Sequence, residues 1–140
     1  MLFYNPLNIS PFQIQFFGLI VDPNVGNKEV FMKIAICAVI REGNKIVADS
    51  LANSDIFILF DLNKNDISER IINNKYKFSI NPEIFCAQLI ISKGVQTVVC
   101  GNFEDDAIKL FSEAKIKVIR HNEEDVGKFL ICFLSNYVRD

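Results

Sequence analysis

The feature that most restricts the fold of this chain is the apolar segment at residues 33–40. Its sequence, KIAICAVI, is apolar at every position after the lysine, without the alternation of a strand that has one face in water. Continuous runs of this kind are typical of central strands covered on both faces. The segment therefore predicts a sheet with other layers packed on both of its sides.

A second feature is the direct passage from an apolar strand into a helix at residues 95–111. The strand is predicted to end at Cys100, Gly101 supplies the turn, and a helix is predicted to begin near Asn102, with its regular apolar stripe starting at Phe103. In open α/β sheets, ligands bind outside the carboxyl ends of the strands, at turns of this kind. A ligand site is therefore expected beside these residues.

The remaining elements follow from periodicity and from start and stop signals. Asn81 and Pro82 form a helix start, with Asn81 as the expected cap, and Gly94 is a natural terminator. Residues 46–54 lean towards polar side chains and are predicted as a connection. The other predicted elements are strands at 56–62, 66–72 and 115–119 and helices at 81–93 and 123–137.

The resulting order of elements is β β β α β α β α. Three strands joined by tight turns should form an antiparallel meander, whereas strands reached through helices should lie parallel by right-handed crossovers. The predicted fold class is therefore α/β, with a mixed five-stranded sheet and helices on both faces, which is the ribonuclease-H-like architecture. A fold alone assigns no function.

The chain has 140 residues, which fits one domain. Residues 1–31 contain three of the four prolines and are predicted as an N-terminal extension with at most one short strand, at 13–21. Residues 32–140 are predicted as a single domain. The helix at 81–93 is apolar all round and needs cover on two sides, either from the extension or from a second subunit in a homodimer.

Charge and cysteine usage restrict the partners and the compartment. The formal net charge is -2, which argues against nucleic acid as a partner. The four cysteines lie in apolar runs without a Cys-x-x-Cys pair, as in reduced cytoplasmic proteins, and we expect Cys86 and Cys132 to be core residues. The longest apolar run is far shorter than the roughly 20 residues of a membrane span. A cytoplasmic protein without a membrane segment is therefore predicted.

Two cysteines and the single histidine are candidate metal ligands. Cys37 lies on the first predicted strand and Cys100 on the fourth, and the topology makes these strands neighbours. Two thiols facing one another suit a soft metal ion, but cysteine also serves as a small core residue. His121 follows the last strand at the same sheet edge, either as a third ligand or as a solvated residue. A two-metal nuclease requires acids on the central strand, and residues 33–40 contain none.

Several segments carry a resemblance to a known family. They are Met32-Lys-Ile-Ala-Ile36, Phe57-Ile-Leu-Phe-Asp61, Val98-Val-Cys-Gly101 followed by a helix, and Ala114-Lys-Ile-Lys-Val118 followed by the last helix. In their order and spacing the chain resembles the dinitrogenase iron-molybdenum cofactor biosynthesis family, of the NifX and NifB carboxy-terminal type. The resemblance implies a small ribonuclease-H-like domain that binds or carries a metal-sulfur cluster, of iron-molybdenum or iron-sulfur type, or its precursor.

The resemblance also directs attention to the loop before the second predicted strand. The family often has His-Phe-Gly-Arg there, whereas this chain has Ser-Leu-Ala-Asn at residues 50–53. We expect a non-catalytic carrier that takes a small metal-sulfur ligand or contacts a cofactor-assembly protein. The alternative is a structural or regulatory interaction protein of the same fold without a ligand. The predicted cofactor-binding residues are Ser50, Asn53, Ser54, Cys100, Gly101 and Asn102, and the predicted metal ligands are Cys37, Cys100 and His121.

Overall fold

The computed structural model describes residues 30–63, 66–122 and 124–139, and the short strand predicted at 13–21 lies outside them. We number the elements in chain order within these residues. The strands are β1 (Val30–Arg41), β2 (Asn44–Val47), β3 (Ile56–Asn63), β4 (Ile67–Asn73), β5 (Thr97–Cys100) and β6 (Lys117–Arg120), and the helices are α1 (Pro82–Ile91), α2 (Asp105–Glu113) and α3 (Val126–Arg139).

The strands of the described residues form one mixed sheet. Five of them lie side by side in the order β4-β3-β1-β5-β6, and β2 pairs with β1 without a place in that order. Strand β1 pairs antiparallel with β3, and β3 pairs antiparallel with β4, which confirms the predicted meander. Strands β1, β5 and β6 run parallel to one another. The prediction of a mixed α/β sheet is therefore confirmed.

Strand β2 corrects the predicted connection at 46–54 and raises the number of strands in the described sheet from the predicted five to six. It forms a hairpin with the end of β1, where Val47 lies opposite Ala38. The turn residues Glu42 and Gly43 have φ values of 52° and 82°. Positive φ at both central residues is the geometry of tight hairpin turns that match strand twist. The hairpin was not predicted from the sequence, because β2 is short and begins with two polar residues.

Both faces of the sheet are covered, as the apolar run of β1 predicted. Its alternate residues Ile34 and Ile36 pack into a cluster with Leu130 of α3. On the other face, Ala35 and Cys37 pack into a second cluster with residues of α1 and α2. Each fully buried large aliphatic or aromatic side chain contributes roughly 1.5–3 kcal/mol. The two clusters therefore hold β1 as the central strand of a layered domain.

The helix starts differ in detail from their predictions. Asn81 occupies the position before α1 but makes no side-chain cap hydrogen bond. Helix α2 begins at Asp105, two residues after the predicted apolar stripe begins at Phe103, because Phe103 is buried before the helix and meets Phe111 edge to face. Gly94 ends the α1 segment with a φ of 73°, as expected of a terminator.

Two further features of the helices bear on the predictions. Cys132 is exposed on α3, whereas a core position was expected. The apolar stripe of this helix passes through Phe129, Leu130 and Leu134, so position 132 falls on its outer side. None of the described helices is long and apolar enough to cross a membrane.

Candidate functional site

A shallow groove lies where β5 and β6 end, and Asp49, Gly101, Asn102 and Asn122 line it. Asn102 follows β5, Asn122 follows β6, and Asp49 belongs to the loop after β2. This is the sheet edge at which α/β proteins bind ligands. Gly101 and Asn102 were among the predicted cofactor-binding residues, whereas Asp49 and Asn122 were not.

Gly101 lies at the point where two loops of the groove meet. Its N–H donates to the carbonyl oxygen of Ala48 at 2.7 Å. A Cβ atom at position 101 would lie 2.8 Å from the Asp49 Cα and 2.9 Å from the Ala48 oxygen. Real Cβ atoms almost never approach other atoms so closely, and here the neighbours are backbone. A glycine is therefore needed for the 48–54 loop to contact the end of β5.

Hydrogen bonds within the 48–54 loop fix the predicted residues Ser50, Asn53 and Ser54. The Asn53 side chain donates to Asp49 Oδ1 at 3.0 Å, and its backbone N–H donates to Ser50 Oγ at 3.1 Å. The Ser54 hydroxyl donates to the Ser50 carbonyl at 2.9 Å, and Ser54 is wholly buried. Asn53 therefore orients a carboxylate of the groove, whereas Ser54 supports the loop from inside.

Asn74, which follows β4, anchors the same loop from below. It is buried, and its side-chain amide donates to the carbonyl oxygens of Ser54 at 2.9 Å and Leu51 at 3.4 Å. Its Oδ1 accepts from the Tyr76 N–H at 3.0 Å and lies 3.2 Å from the Cys86 thiol. No sequence signal marked Asn74, because its partners are mostly backbone groups of another segment.

Three of the four cysteines are buried in one core cluster. Cys37, Cys86 and Cys100 are wholly buried in the cluster under α1 and α2. The Cys37 thiol lies against the Cys100 thiol and the Ser54 hydroxyl. Burial, followed by the contact with Cys100, raises the pKa of Cys37 well above its usual range, and burial raises the pKa of Cys86 to about 11. Both thiols stay protonated at neutral pH, and a metal requires the thiolate.

The structure brings Cys37 and Cys100 together. The backbone N–H of His121 donates to the Cys100 carbonyl oxygen at 3.0 Å, but the imidazole is directed away from the two thiols. His121 Nε2 lies 2.5 Å from Glu124 Oε1, and its ring packs 4.6 Å from the Phe129 ring. Phe129 belongs to the cluster under α3, on the other face of the sheet from the two thiols. The three predicted metal ligands therefore do not converge, and no group of three or more His, Cys, Asp or Glu side chains within the described ranges is placed to hold a metal ion.

Residues 32–136 match the family model described as dinitrogenase iron-molybdenum cofactor. The chain belongs to this family. The match covers the whole sheet from Met32 onward and every strand and loop of the groove. No curated protein matches the chain in sequence.

Solved structures support the same fold for this family member. The chain is similar to the apo form of the orange protein from Desulfovibrio gigas, with a TM-score of 0.66 and 19% identity over 79% of this chain and 92% of that one. It is also similar to a putative NifB protein from Thermotoga, with a TM-score of 0.62 and 21% identity over 76% of this chain and 90% of that one. At these identities the likeness shows the fold alone.

Acidic residues lie in the groove and in the helix that follows its 101–104 loop, and we call them together the acidic rim. Asp105 and Asp106 stand exposed in the first turn of α2, and Asp49 is exposed in the groove itself. Carboxylates in a first turn interact favourably with the helix dipole, by about 0.3–1 kcal/mol each. The same charges repel a multiply charged anion such as a polyphosphate. The amide groups of Asn102 and Asn122 remain as the hydrogen-bond donors of the groove.

Proposed function

We propose that this chain is a non-catalytic binding or carrier module for a small metal-sulfur species, taken up in the groove between Asp49, Gly101, Asn102 and Asn122. The observation that carries the proposal is the coincidence of two independent features. The chain matches the iron-molybdenum cofactor family over residues 32–136. The groove opens at the carboxyl ends of β5 and β6, the binding edge of α/β sheets.

Hydrogen bonds from the groove would hold such a cargo, because the described residues that line it include neither a thiol nor an imidazole. Cluster sulfurs accept hydrogen bonds, and these bonds also tune the properties of the cluster. The side-chain amides of Asn102 and Asn122 are the matching donors. The acidic rim favours a cargo of low net negative charge, such as a thiometallate whose charge is partly neutralised by a bound cation.

Two further features support a carrier rather than an enzyme. Strand β1 has no acidic residue, so the central acid of a two-metal hydrolase is missing. The described side chains that line the groove include one ionisable group, Asp49. We also propose that the domain is ribonuclease-H-like, on the strand order β4-β3-β1-β5-β6, and that it works in the cytoplasm, since all four cysteines are free thiols.

Anaerobic titration with tetrathiomolybdate and copper(I) tests the proposal. The wild-type protein should bind with a stoichiometry of about one cargo per chain and develop charge-transfer absorption. Asn102→Ala and Asn122→Ala should each lower the affinity about tenfold, which corresponds to about 1.4 kcal/mol, or one hydrogen bond. The matched control is Asn73→Ala, because Asn73 is exposed at the end of β4, on the opposite edge of the sheet from β6. Absence of wild-type binding, or equal binding by all variants, would overturn the proposal.

A second candidate function is an interaction protein that has kept the fold without a ligand. The observation that favours it is the display of Phe78 and Ile80, each 94% exposed, in the segment between β4 and α1. Large apolar side chains displayed in this way are more frequent at protein contacts than on other surfaces. Failure of the wild-type protein to bind the thiomolybdate probe would favour this function over the first.

A further inference from the structure

Glu83 is a buried carboxylate that bridges the two loops of the groove. It lies in the first turn of α1 and is only 4% exposed. Its Oε1 accepts the backbone N–H of Ala52 at 3.1 Å, within the 48–54 loop. Its Oε2 accepts the backbone N–H of Glu104 at 3.2 Å, at the end of the 101–104 loop. One side chain thus joins the loop that carries Asp49 to the loop that carries Asn102.

We propose that Glu83 is a positioning residue of the groove, whose carboxylate holds the 48–54 and 101–104 loops at a fixed separation. The consequence for cargo binding rests on the function proposed above. The clamp itself is a property of the fold and is testable without cargo. Its two hydrogen bonds act together with the bond between the Gly101 N–H and the Ala48 carbonyl oxygen. The two loops are therefore joined at two separate places.

The chemistry of the bridge requires a carboxylate. Both partners of Glu83 are N–H donors, and an ionised carboxylate has two acceptor oxygens and no donor. Hydrogen bonds to an ionised acceptor are stronger than those between neutral groups. Glutamine has nearly the same shape but replaces one oxygen with an NH₂ group, which would face an N–H donor. Glu83→Gln should therefore release one of the two loops.

The electrostatic surroundings of Glu83 oppose the charge on its carboxylate. Burial raises its pKa, and the neighbouring Glu104 carboxylate raises it further, while the two backbone bonds act in the opposite direction. The Cys86 thiol also faces it. The folded state favours the protonated form of Glu83. Stability is therefore lost as the pH rises from 4.5, the ordinary pKa of the side chain, through the raised pKa of the folded state. The two backbone N–H groups are the contacts that favour the charged form, and they are also the groups that join the loops.

The buried cysteines provide a reporter for this clamp. The 48–54 loop packs over Cys100, whose thiol lies 3.5 Å from the Ala48 carbonyl oxygen, and Cys37 and Cys86 lie in the same cluster. Cys132 is exposed on α3 and should react with a thiol reagent at all times. The labelling rate of the three buried thiols therefore measures how often the loops open, and Cys132 calibrates the reagent.

The experiment compares wild-type protein with Glu83→Gln and with a matched control, Glu69→Gln. Glu69 is also a partly buried carboxylate, but it pairs with Lys45 at 3.1 Å on the sheet surface. Hydrogen–deuterium exchange is followed in peptides covering 49–54 and 101–104, and labelling with an aromatic disulfide reagent is followed in parallel. Glu83→Gln should speed exchange in the released loop, and labelling of the buried thiols, about tenfold, the equivalent of one hydrogen bond. Glu69→Gln should leave both rates as in the wild type.

Three results would overturn the positioning role. They are unchanged exchange in both loops, exchange that rises equally in every element, and loosened loops that still bind the thiomolybdate probe with wild-type affinity. If the wild-type protein binds no probe, the proposed function fails, and the exchange and labelling rates still decide whether Glu83 clamps the loops. If Glu83→Gln does not fold, Glu83→Asp replaces it, because the shorter side chain keeps both oxygens but cannot reach both N–H groups.

Discussion

At the scale of single residues, Gly101 has the strictest requirement in the candidate site. Its hydrogen position faces the backbone of Ala48 and Asp49, so an added methyl group would have to push one loop away from the other. Overpacking of this kind typically costs 1–3 kcal/mol. We expect Gly101→Ala to lower the free energy of unfolding by about 2 kcal/mol in urea titrations and to weaken binding of the thiomolybdate probe.

Gly94→Ala is the control for this prediction. Gly94 differs from Gly101 in the reason for its glycine: its φ is 73°, and no described atom lies within 4 Å of its Cβ position. Its replacement should cost about 1 kcal/mol through backbone strain and leave probe binding unchanged. Equal losses of stability and binding in the two variants would contradict the steric role assigned to Gly101.

The residues that sequence reasoning found and missed in the site differ in the kind of partner they have. Gly101 and Asn102 were selected because the turn between a strand and a helix is visible locally. Glu83 was missed because its partners lie far along the chain. Asp49 and Asn122 were not predicted as groove residues because only folding brings their loops beside Gly101. Glu83, for example, bonds backbone groups 31 and 21 residues away. Backbone partners leave no trace in the sequence, so contacts of this kind require the folded chain.

At the scale of elements, the long apolar segments were predicted well and the short polar ones poorly. Strand β1 was evident from its continuous apolar run, and β3 and β4 from the hairpin pattern. Strand β2 was missed because its four residues include Asn44 and Lys45, and pairing with β1 determines its conformation. The resulting hairpin matters for the site, because the loop that follows β2 places Asp49 in the groove.

The segment between β4 and α1 displays apolar side chains that the described part of the chain leaves exposed. Phe78 and Ile80 are each 94% exposed, whereas the Tyr76 and Phe85 rings pack 5.4 Å apart and hold the segment in place. We expect the double change Phe78→Ser and Ile80→Ser to shift the free energy of unfolding by no more than about 0.5 kcal/mol. Phe111→Ala, at a wholly buried position, should cost about 3–5 kcal/mol in the same urea titrations.

A loss of more than about 1 kcal/mol in the double variant would show that these two side chains pack against something in the isolated chain. A neutral result would leave their exposure without a stabilising role in the fold. Such a result would favour selection for contact with another protein, which is the second candidate function.

At the scale of the whole molecule, the groove joins parts of the chain that belong to different layers. The 48–54 loop follows the β1–β2 hairpin, the 101–104 loop leads from β5 into α2, and Asn122 precedes α3. The two loops are joined to α1 through Glu83, and the segment after β6 leads into the helix on the opposite face. The groove therefore exists only when both faces of the sheet have assembled, and cargo bound there should stabilise the entire domain.

This linkage gives a prediction for thermal unfolding. A ligand that binds only the folded state stabilises it by about 2.7 kcal/mol when its free concentration is 100 times Kd. For a domain of this size, the Tm should rise by roughly 10 °C with the thiomolybdate and copper(I) probe, and it should keep rising with probe concentration. Calorimetry under argon measures the shift.

Asn122→Ala should show a smaller shift at each concentration, because the weaker complex needs more probe for the same stabilisation, whereas Asn73→Ala should follow the wild-type curve. A shift of equal size in all three proteins would mean that the probe binds outside the groove.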